Sequence, residues 1–143
     1  MKTILIALSL LVASSASADV PVYIQTVALE ARCQGIVGMT AVSRVIQNRA
    51  KERRQTYDQV CLAPHQFSCW DCDGNSTQRT SPTARDYSRA LDAWKLAESA
   101  DPDEIWYTAN LYHDTSVTPW WSRSDKVTYL GQVGMLVFYR EAR

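Results

Sequence analysis

The sequence lacks any excess of charge, because 15 Lys and Arg balance 15 Asp and Glu along its 143 residues. This balance argues against a nucleic acid or an anionic membrane surface as partner, since both attract clustered basic side chains. Glycine and proline are scarce, at five each, which argues against disorder and low-complexity repeats. Phenylalanine is rarer still, at two residues, whereas five Trp and seven Tyr supply rings that can stack on sugars or bases.

Long hydrophobic runs are missing except at the start of the chain. Lys2 gives a positive beginning, residues 3–13 are almost wholly apolar, and residues 16–18 form a small-residue cleavage pattern. The run is shorter than the roughly 20 residues that cross a bilayer core. We therefore predict a signal peptide over residues 1–18 and one exported domain over residues 19–143, a monomer in the periplasm, cell wall or extracellular space. An uncleaved anchor is the alternative.

The cysteines are few but even in number: Cys33, Cys61, Cys69 and Cys72. In an oxidising compartment we expect two disulfides, with three possible pairings. The Cys69-x-x-Cys72 spacing also allows a redox motif, although the residues that follow it are typical of a loop rather than a helix. A zinc site that adds His65 and His113 is a further alternative, but oxidised cysteines cannot supply thiolate ligands. We expect no metal and no cofactor.

Hydrophobic periodicity predicts three helices followed by a little sheet. The predicted helices cover residues 20–31, residues 38–50 and a third stretch that starts at Ser81-Pro82 and stops at Asp101-Pro102. Residues 57–81 have no sustained period and are predicted to be a loop. Strands are predicted over residues 105–108 and 133–139, separated by an aromatic loop over residues 112–122. This order indicates an α+β fold, mainly helical, with a short antiparallel β element toward the C-terminus.

Glu30 lies on the flank of the first helix, about 120° round from the centre of its apolar stripe. A carboxyl beside a hydrophobic face is partly desolvated, which raises its pKa and suits it to act as a general acid. The alternative is a solvated flank position or a salt bridge to Arg49, and spacing alone favours that alternative.

Aromatic side chains fall mostly in predicted loops, where they can stack on pyranose faces. Trp94 and Trp106 are expected in the core instead. Trp120 and Trp121 cannot both point inward if their segment is extended, because neighbouring residues alternate faces. Nearby polar side chains could bind sugar hydroxyls and acetamides: Gln66, Ser68, Asn110 and His113.

Four blocks of the sequence resemble the SleB-type (spore-cortex-lytic-enzyme-like) cell wall hydrolases and occur in that family's order. The first block is similar to the family's Glu-Ala-Arg-Gly-Glu element, Ala-Val helix and Asn-Arg end; here it comprises Leu29-Glu30-Ala31-Arg32, Gly38, Ala41-Val42 and Asn48-Arg49. The other blocks are Val60-Cys61 with Gln66-Phe67-Ser68, Tyr112-His113 with Pro119-Trp120-Trp121, and Val133-Gly134 with Val137-Phe138-Tyr139-Arg140. Three positions depart from the pattern: Cys33 replaces a glycine, Gln34 the second Glu, and Leu136 a histidine.

The resemblance implies a lysozyme-like α+β fold that acts on peptidoglycan glycan strands, with Glu30 as the catalytic residue. It also implies a substrate groove, for which the candidate binding residues are Gln66, Ser68, Tyr107, His113, Trp120 and Tyr139. Cys33 would then form a disulfide that anchors the end of the first helix to the loop between Cys61 and Cys72.

The implied reaction is cleavage of the β-1,4 bond between N-acetylmuramic acid and N-acetylglucosamine. Because the motif has no second Glu, we favour a lytic transglycosylase, which needs one acid only. A muramidase would need another carboxylate, for which Asp71, Asp73 and Asp114 are candidates. A non-catalytic peptidoglycan-binding module and an oxidoreductase that uses Cys69 and Cys72 are the remaining alternatives.

Overall fold

A computed structural model describes residues 19–71 and 81–142 of the chain. The predicted signal peptide, Cys72 and Asp73 lie outside the described residues. The helices are α1 (Val22–Ala31), α2 (Gly35–Arg53), α3 (Tyr57–Leu62) and α4 (Ala84–Glu98), and the strands are β1 (Leu111–Asp114), β2 (Val127–Val133) and β3 (Leu136–Glu141). Single 3-10 turns occupy Arg32–Gln34, Ser68–Trp70 and Trp120–Arg123. The α+β prediction is confirmed, and no described helix is long and apolar enough to cross a membrane.

The first two helices follow the predicted periodicity closely. The apolar stripes of α1 and α2 are both buried, as predicted. They comprise Ile24, Val27, Ala28 and Ala31 of α1 and Met39, Val42, Val45 and Ile46 of α2. The helix α2 begins three residues earlier than predicted, at Gly35, whose φ of 69° is readily adopted only by glycine. This junction turns the chain after Glu30, which lies on the last turn of α1.

The segment over residues 57–81, predicted as a loop, contains a helix. Thr56 caps α3 by accepting a hydrogen bond from the Gln59 backbone N–H, and the Gln59 side chain accepts one in return from the Thr56 N–H. With six residues, α3 is too short to show a helical period in the sequence. A second capping box at Thr83 and Asp86 starts α4, two residues after the predicted start at Ser81.

The three strands form one antiparallel sheet in the order β1-β3-β2. Tyr112 of β1 pairs with Phe138 of β3, and a bulge interrupts β2 between Tyr129 and Gly131. The predicted strand at residues 105–108 is wrong, because that run forms turns that place Trp106 in the core and leave Ile105 exposed. The predicted strand at residues 133–139 is divided by the β2–β3 turn, where Gly134 has a φ of 57°.

The core lies where the helices pack against one another and against the sheet. Phe67, Phe138 and Met39 are among its largest fully buried side chains. Trp94 and Trp106 are each 4% exposed, so their predicted core positions are confirmed. On α4, Leu91 is exposed and Ala93 is buried.

The predicted pair of disulfides is wrong. Two disulfides among four cysteines would require a bridge between two of Cys33, Cys61 and Cys69, and these three form none with one another. Cys33 is exposed just after α1, whereas Cys61 is buried and its thiol hydrogen-bonds Thr26 inside the core. Cys33 therefore forms no anchor to this loop through Cys61 or Cys69, and Cys72 lies outside the described residues.

Candidate functional site

Glu30 is half-buried on the last turn of α1, and two donors from distant segments fix its carboxyl group. Oε1 accepts a hydrogen bond of 3.0 Å from the backbone N–H of Cys69. Oε2 accepts one of 3.0 Å from the hydroxyl of Tyr112. One oxygen is thus held by the turn after α3 and the other by the sheet, so the whole fold determines where the carboxyl group points.

The carboxyl group lies in the wall of a cleft of about 720 Å³. The side chains that line this cleft are mostly polar or aromatic: Glu30, Arg49, His65, Gln66, Ser68, Asp71, Tyr112, His113, Asp114, Ser116, Val117, Pro119, Trp121 and Leu136. Of the seven candidate catalytic and groove residues, four therefore meet in one place, namely Glu30, Gln66, Ser68 and His113. Such a mixture of rings and hydrogen-bonding groups suits a polyhydroxylated ligand.

Local contacts position the turn that carries Cys69. The indole N–H of Trp70 donates to the Thr26 hydroxyl at 2.9 Å, which ties the turn to the buried side of α1. Phe67 is 2% exposed and anchors the start of the same turn in the core. These two contacts direct the Cys69 N–H toward Glu30, four residues along α1 from Thr26.

Tyr112 reaches Glu30 from the first strand of the sheet. Burial raises the pKa of Tyr112 well above its usual value, and the nearby Glu30 carboxyl group acts in the same direction. The phenol therefore stays protonated at neutral pH and can serve as a donor. Its ring packs near Phe138 and Phe67, with centroid distances of 5.9 and 6.4 Å.

The segment before β1 is held by polar side chains of α2. The Asn48 amide donates to the carbonyls of Tyr107 and Ala109 at 3.0 and 2.8 Å. Arg49, which is 5% exposed, donates from Nε to the carbonyl of Asn110 at 2.6 Å. The Asn-Arg pair at the end of the first sequence block thus fixes the entry into the strand that carries Tyr112.

One wall of the cleft is aromatic. The His113 ring stacks on Tyr139 at 5.4 Å, and Trp121 meets both rings edge-on at 5.8 and 5.4 Å. Nδ1 of His113 lies 2.8 Å from the carbonyl oxygen of Asp114, which can only accept, so in the neutral ring Nδ1 carries the hydrogen. Nε2 then accepts from the Tyr139 hydroxyl at 3.1 Å.

Two further carboxyl groups line the cleft. Asp71 Oδ1 accepts from the backbone N–H of His65 at 3.3 Å. Hydrogen bonds from Ser116 lower the pKa of Asp114, which is therefore ionised at neutral pH. The third sequence candidate, Asp73, lies outside the described residues. Over residues 19–71 and 81–142, no three His, Cys, Asp or Glu side chains are grouped as metal ligands would be.

Several candidate residues occupy other places. Tyr107 does not line the cleft; its ring lies 4.0 Å from the Arg44 guanidinium in a separate depression. Trp120 is 85% exposed beside the cleft, whereas Trp121 lines it. Tyr139 is buried behind His113.

Two of the positions that depart from the family pattern have clear structural roles. Gln34 accepts a hydrogen bond from the Met135 N–H at 2.9 Å and so joins the α1–α2 junction to the β2–β3 turn. Leu136 is 4% exposed and contributes an apolar patch to the cleft.

Sequence reasoning did not identify Tyr112 as a partner of Glu30, nor Arg49 as part of the cleft. The sequence suggests Arg49 only as a salt-bridge partner of Glu30, and Tyr112 only as part of a family block. Both belong to blocks that carry the family resemblance, and this is the one signal in the sequence that could have pointed to them.

The fold and the cleft together define a class: small α+β domains that hold a carboxyl group in a groove of polar and aromatic side chains, as polysaccharide-cleaving enzymes do. The sequence profile described as Cell Wall Hydrolase matches residues 34–139, a segment that begins four residues after Glu30. The chain belongs to this cell wall hydrolase family, whose members break down peptidoglycan.

Comparison with solved structures supports the same fold. The crystal structure of the catalytic domain of the Bacillus cereus SleB protein is similar, with a TM-score of 0.57 and 23% sequence identity. The similarity covers 82% of this chain and 87% of that one. None of the curated proteins matches the chain.

Proposed function

We propose that this protein is an exported lytic transglycosylase that cleaves peptidoglycan between N-acetylmuramic acid and N-acetylglucosamine. The observation that carries the proposal is the placement of Glu30, whose carboxyl group is held by two donors in the wall of a polar and aromatic cleft. A carboxyl group with fixed orientation can deliver a proton to one defined atom of a bound strand.

In the first step, protonated Glu30 donates its proton to the glycosidic oxygen. The bond between that oxygen and C1 of the muramyl sugar breaks, and the N-acetylglucosamine leaves with a free 4-hydroxyl. The muramyl ring passes through an oxocarbenium-like state. The ionised carboxyl group that remains is still held by Cys69 and Tyr112, so it stays close to the reacting carbon.

In the second step, the Glu30 carboxylate takes the proton of the muramyl 6-hydroxyl. The O6 atom bonds to C1, which closes a 1,6-anhydro ring and returns Glu30 to its protonated form. The nucleophile belongs to the substrate and is already close, so neither a second carboxyl group nor a cofactor is needed. Gln34, at the position of the family's second Glu, hydrogen-bonds the hairpin turn instead.

A muramidase is the second candidate, because Asp71 and Asp114 line the same cleft as Glu30. Either carboxylate could activate a water molecule in an inverting reaction or attack C1 in a retaining one. Its product would carry a reducing end rather than an anhydro ring. A glycan-binding module would leave the strands intact.

The aromatic wall and nearby polar groups are proposed to bind the sugars. His113 and Trp121 offer ring surfaces inside the cleft, and Trp120 offers an exposed indole just outside it. Gln66 and Ser68 are proposed to hydrogen-bond hydroxyl and acetamide groups. We further propose that residues 1–18 direct export and that the enzyme acts as a monomer.

The test is Glu30→Gln, which keeps the size of the side chain but removes its acidic proton. We expect a loss of at least about 100-fold in release of soluble fragments from purified sacculi, with an unchanged circular dichroism spectrum and melting temperature. Glu98→Gln is the matched control, because Glu98 also accepts a hydrogen bond from an aromatic side chain, that of Trp94, but does not line the cleft.

Mass spectrometry of the fragments then separates the candidates. Anhydro-muropeptides support the transglycosylase, whereas reducing ends would replace it by the muramidase. A Glu30→Gln protein that still solubilises sacculi would overturn the catalytic assignment.

A further inference from the structure

Arg49 places a buried positive charge in the floor of the cleft. Its side chain is 5% exposed, and its Nη1 atom is buried without a hydrogen-bond partner among the described residues. Burial lowers the pKa of Arg49 to about 10, which still leaves it charged at neutral pH. A buried cation with an unmet donor costs stability, and the hydrogen bond from Nε to Asn110 leaves the unpaired Nη1 unexplained.

The surroundings of Arg49 point to Tyr112. Both side chains line the same cleft, and Nε of Arg49 donates to the carbonyl of Asn110, two residues before Tyr112. The guanidinium carbon lies 5.2 Å from the centroid of the Phe67 ring, which is itself next to Tyr112. Burial raises the pKa of Tyr112, the Glu30 carboxyl group raises it further, and the Arg49 guanidinium opposes both, so the hydroxyl group is influenced by both charges.

This placement has a direct electrostatic consequence. A positive charge attracts the lone pairs of the phenol oxygen and repels its hydrogen. The hydroxyl hydrogen is therefore directed away from Arg49 and toward Oε2 of Glu30, where the hydrogen bond of 3.0 Å is found. In a site of low dielectric constant this orientation is enforced more strongly than in water.

We propose that Arg49 is a positioning residue, which keeps the Tyr112 hydroxyl donating to Glu30 and supports the carboxylate that forms when Glu30 releases its proton. The inference rests on the proposed function, because it assigns Glu30 a negative charge during the reaction. Arg49 touches no reacting atom in this scheme and acts only through Tyr112.

Arg44 provides a matched control on the same helix. Like Arg49, it donates from Nε to a backbone carbonyl of the segment before β1, here that of Tyr107 at 3.1 Å, and its guanidinium lies over an aromatic ring. Unlike Arg49, it does not line the cleft. If the role of Arg49 is merely structural, substitutions of Arg49 and of Arg44 should therefore have similar effects on kcat and on the melting temperature.

The experiment is a double-mutant cycle measured on a soluble glycan oligomer prepared from peptidoglycan. Arg49→Lys and Arg49→Met are made in the wild-type and in the Tyr112→Phe backgrounds, with Arg44→Lys and Arg44→Met beside them. For each protein, kcat, KM and the melting temperature are measured separately.

We expect Arg49→Met to lower kcat about tenfold more than Arg49→Lys, with KM little changed, because Lys keeps the charge. In the Tyr112→Phe background this difference should disappear, since the hydroxyl that Arg49 orients is absent. The Arg44 variants should lower the melting temperature without changing kcat.

Equal losses of kcat in both backgrounds, or equal effects of Arg49→Lys and Arg49→Met, would overturn the inference. If Arg49→Met does not fold, Arg49→Gln, which also removes the charge, takes its place in the cycle, and its loss of kcat must shrink in the Tyr112→Phe background. The Glu30→Gln variant separates a failure of the role of Arg49 from a failure of the proposed function. If Glu30→Gln is inactive and the effects of the Arg49 and Tyr112 substitutions are additive, the role of Arg49 is refuted and the proposed function stands. If Glu30→Gln is active, the proposed function is refuted as well.

Discussion

At the scale of single residues, Tyr112 holds one oxygen of the carboxyl group proposed to carry out the reaction. Tyr112→Phe keeps the ring and removes only the hydroxyl that donates to Glu30. A hydrogen bond to a charged group is worth about 1.5–3 kcal/mol, so we predict a fall in kcat of about 10- to 100-fold with little change in KM. The measurement is steady-state kinetics on the soluble glycan oligomer.

Tyr23→Phe is the control for this prediction. Tyr23 packs against Tyr57 and Trp94 in an aromatic cluster, outside the cleft. The loss of its hydroxyl should leave kcat unchanged. Equal kinetics of Tyr112→Phe and the wild type would show that the Tyr112 hydroxyl has no part in the reaction.

The sequence allowed Glu30 to be selected but not the groups that hold it. The family motif selects Glu30, whereas its position on the flank of an apolar stripe alone favours a solvated or salt-bridged glutamate. Tyr112 is separated from Glu30 by 82 residues, and the Cys69 N–H by 39. Such contacts arise from the packing of the sheet and of the turn after α3 against α1, which helical periodicity does not report.

At the scale of elements, the start of α4 depends on an ionised side chain. Asp86 accepts hydrogen bonds from the Thr83 N–H and hydroxyl at 2.8 and 2.9 Å, and these bonds lower the pKa of Asp86 below 3.8. A carboxyl group with a lowered pKa in the folded state stabilises the protein above its unfolded pKa, and this contribution disappears as the pH falls through its folded pKa.

We therefore predict that Asp86→Asn is less stable than the wild type at neutral pH and that the difference closes as the pH falls below 3.8. Urea unfolding at a series of pH values measures the difference in free energy of unfolding between the two proteins. Asp92→Asn, an exposed position on the same helix, is the control and should show no such trend. A difference that stays constant down to the acid range would contradict the role of the charge.

Long helices were predictable here and short elements were not. The stripes of α1 and α2 extend over several turns, so the 3.6-residue period is visible. The strand β1 has four residues, three of them polar or aromatic, and lies where an aromatic loop was predicted. The apolar run at Ile105 and Trp106 looks like a strand, but its burial comes from a turn that packs Trp106 inward.

At the scale of the whole molecule, the core contains a thiol that resists ionisation. Burial raises the pKa of Cys61 from 9.0 to about 11. In the unfolded chain the thiol loses its proton at lower pH than in the folded protein. Between these values the folded state binds more protons, so the free energy of unfolding falls as the pH rises.

We predict that the stability difference between the wild type and Cys61→Ala, largest near neutral pH, narrows from about pH 9 to about pH 11. Chemical denaturation across this range measures it. Cys33→Ala removes an exposed thiol, and its difference from the wild type in free energy of unfolding should not change over this pH range. A flat difference for Cys61→Ala as well would mean that the thiol reaches solvent.

Three polar side chains of α2 hold residues 107–110, and this limits where insertions and deletions can be accepted during evolution. Carbonyl groups of this stretch, immediately before β1, accept hydrogen bonds from the side chains of Arg44, Asn48 and Arg49. Deleting a single codon there would slide β1 along β3 by one position and turn Tyr112 to the opposite side of the sheet. Insertions and deletions should therefore be tolerated at the exposed β2–β3 turn much sooner than in this four-residue link.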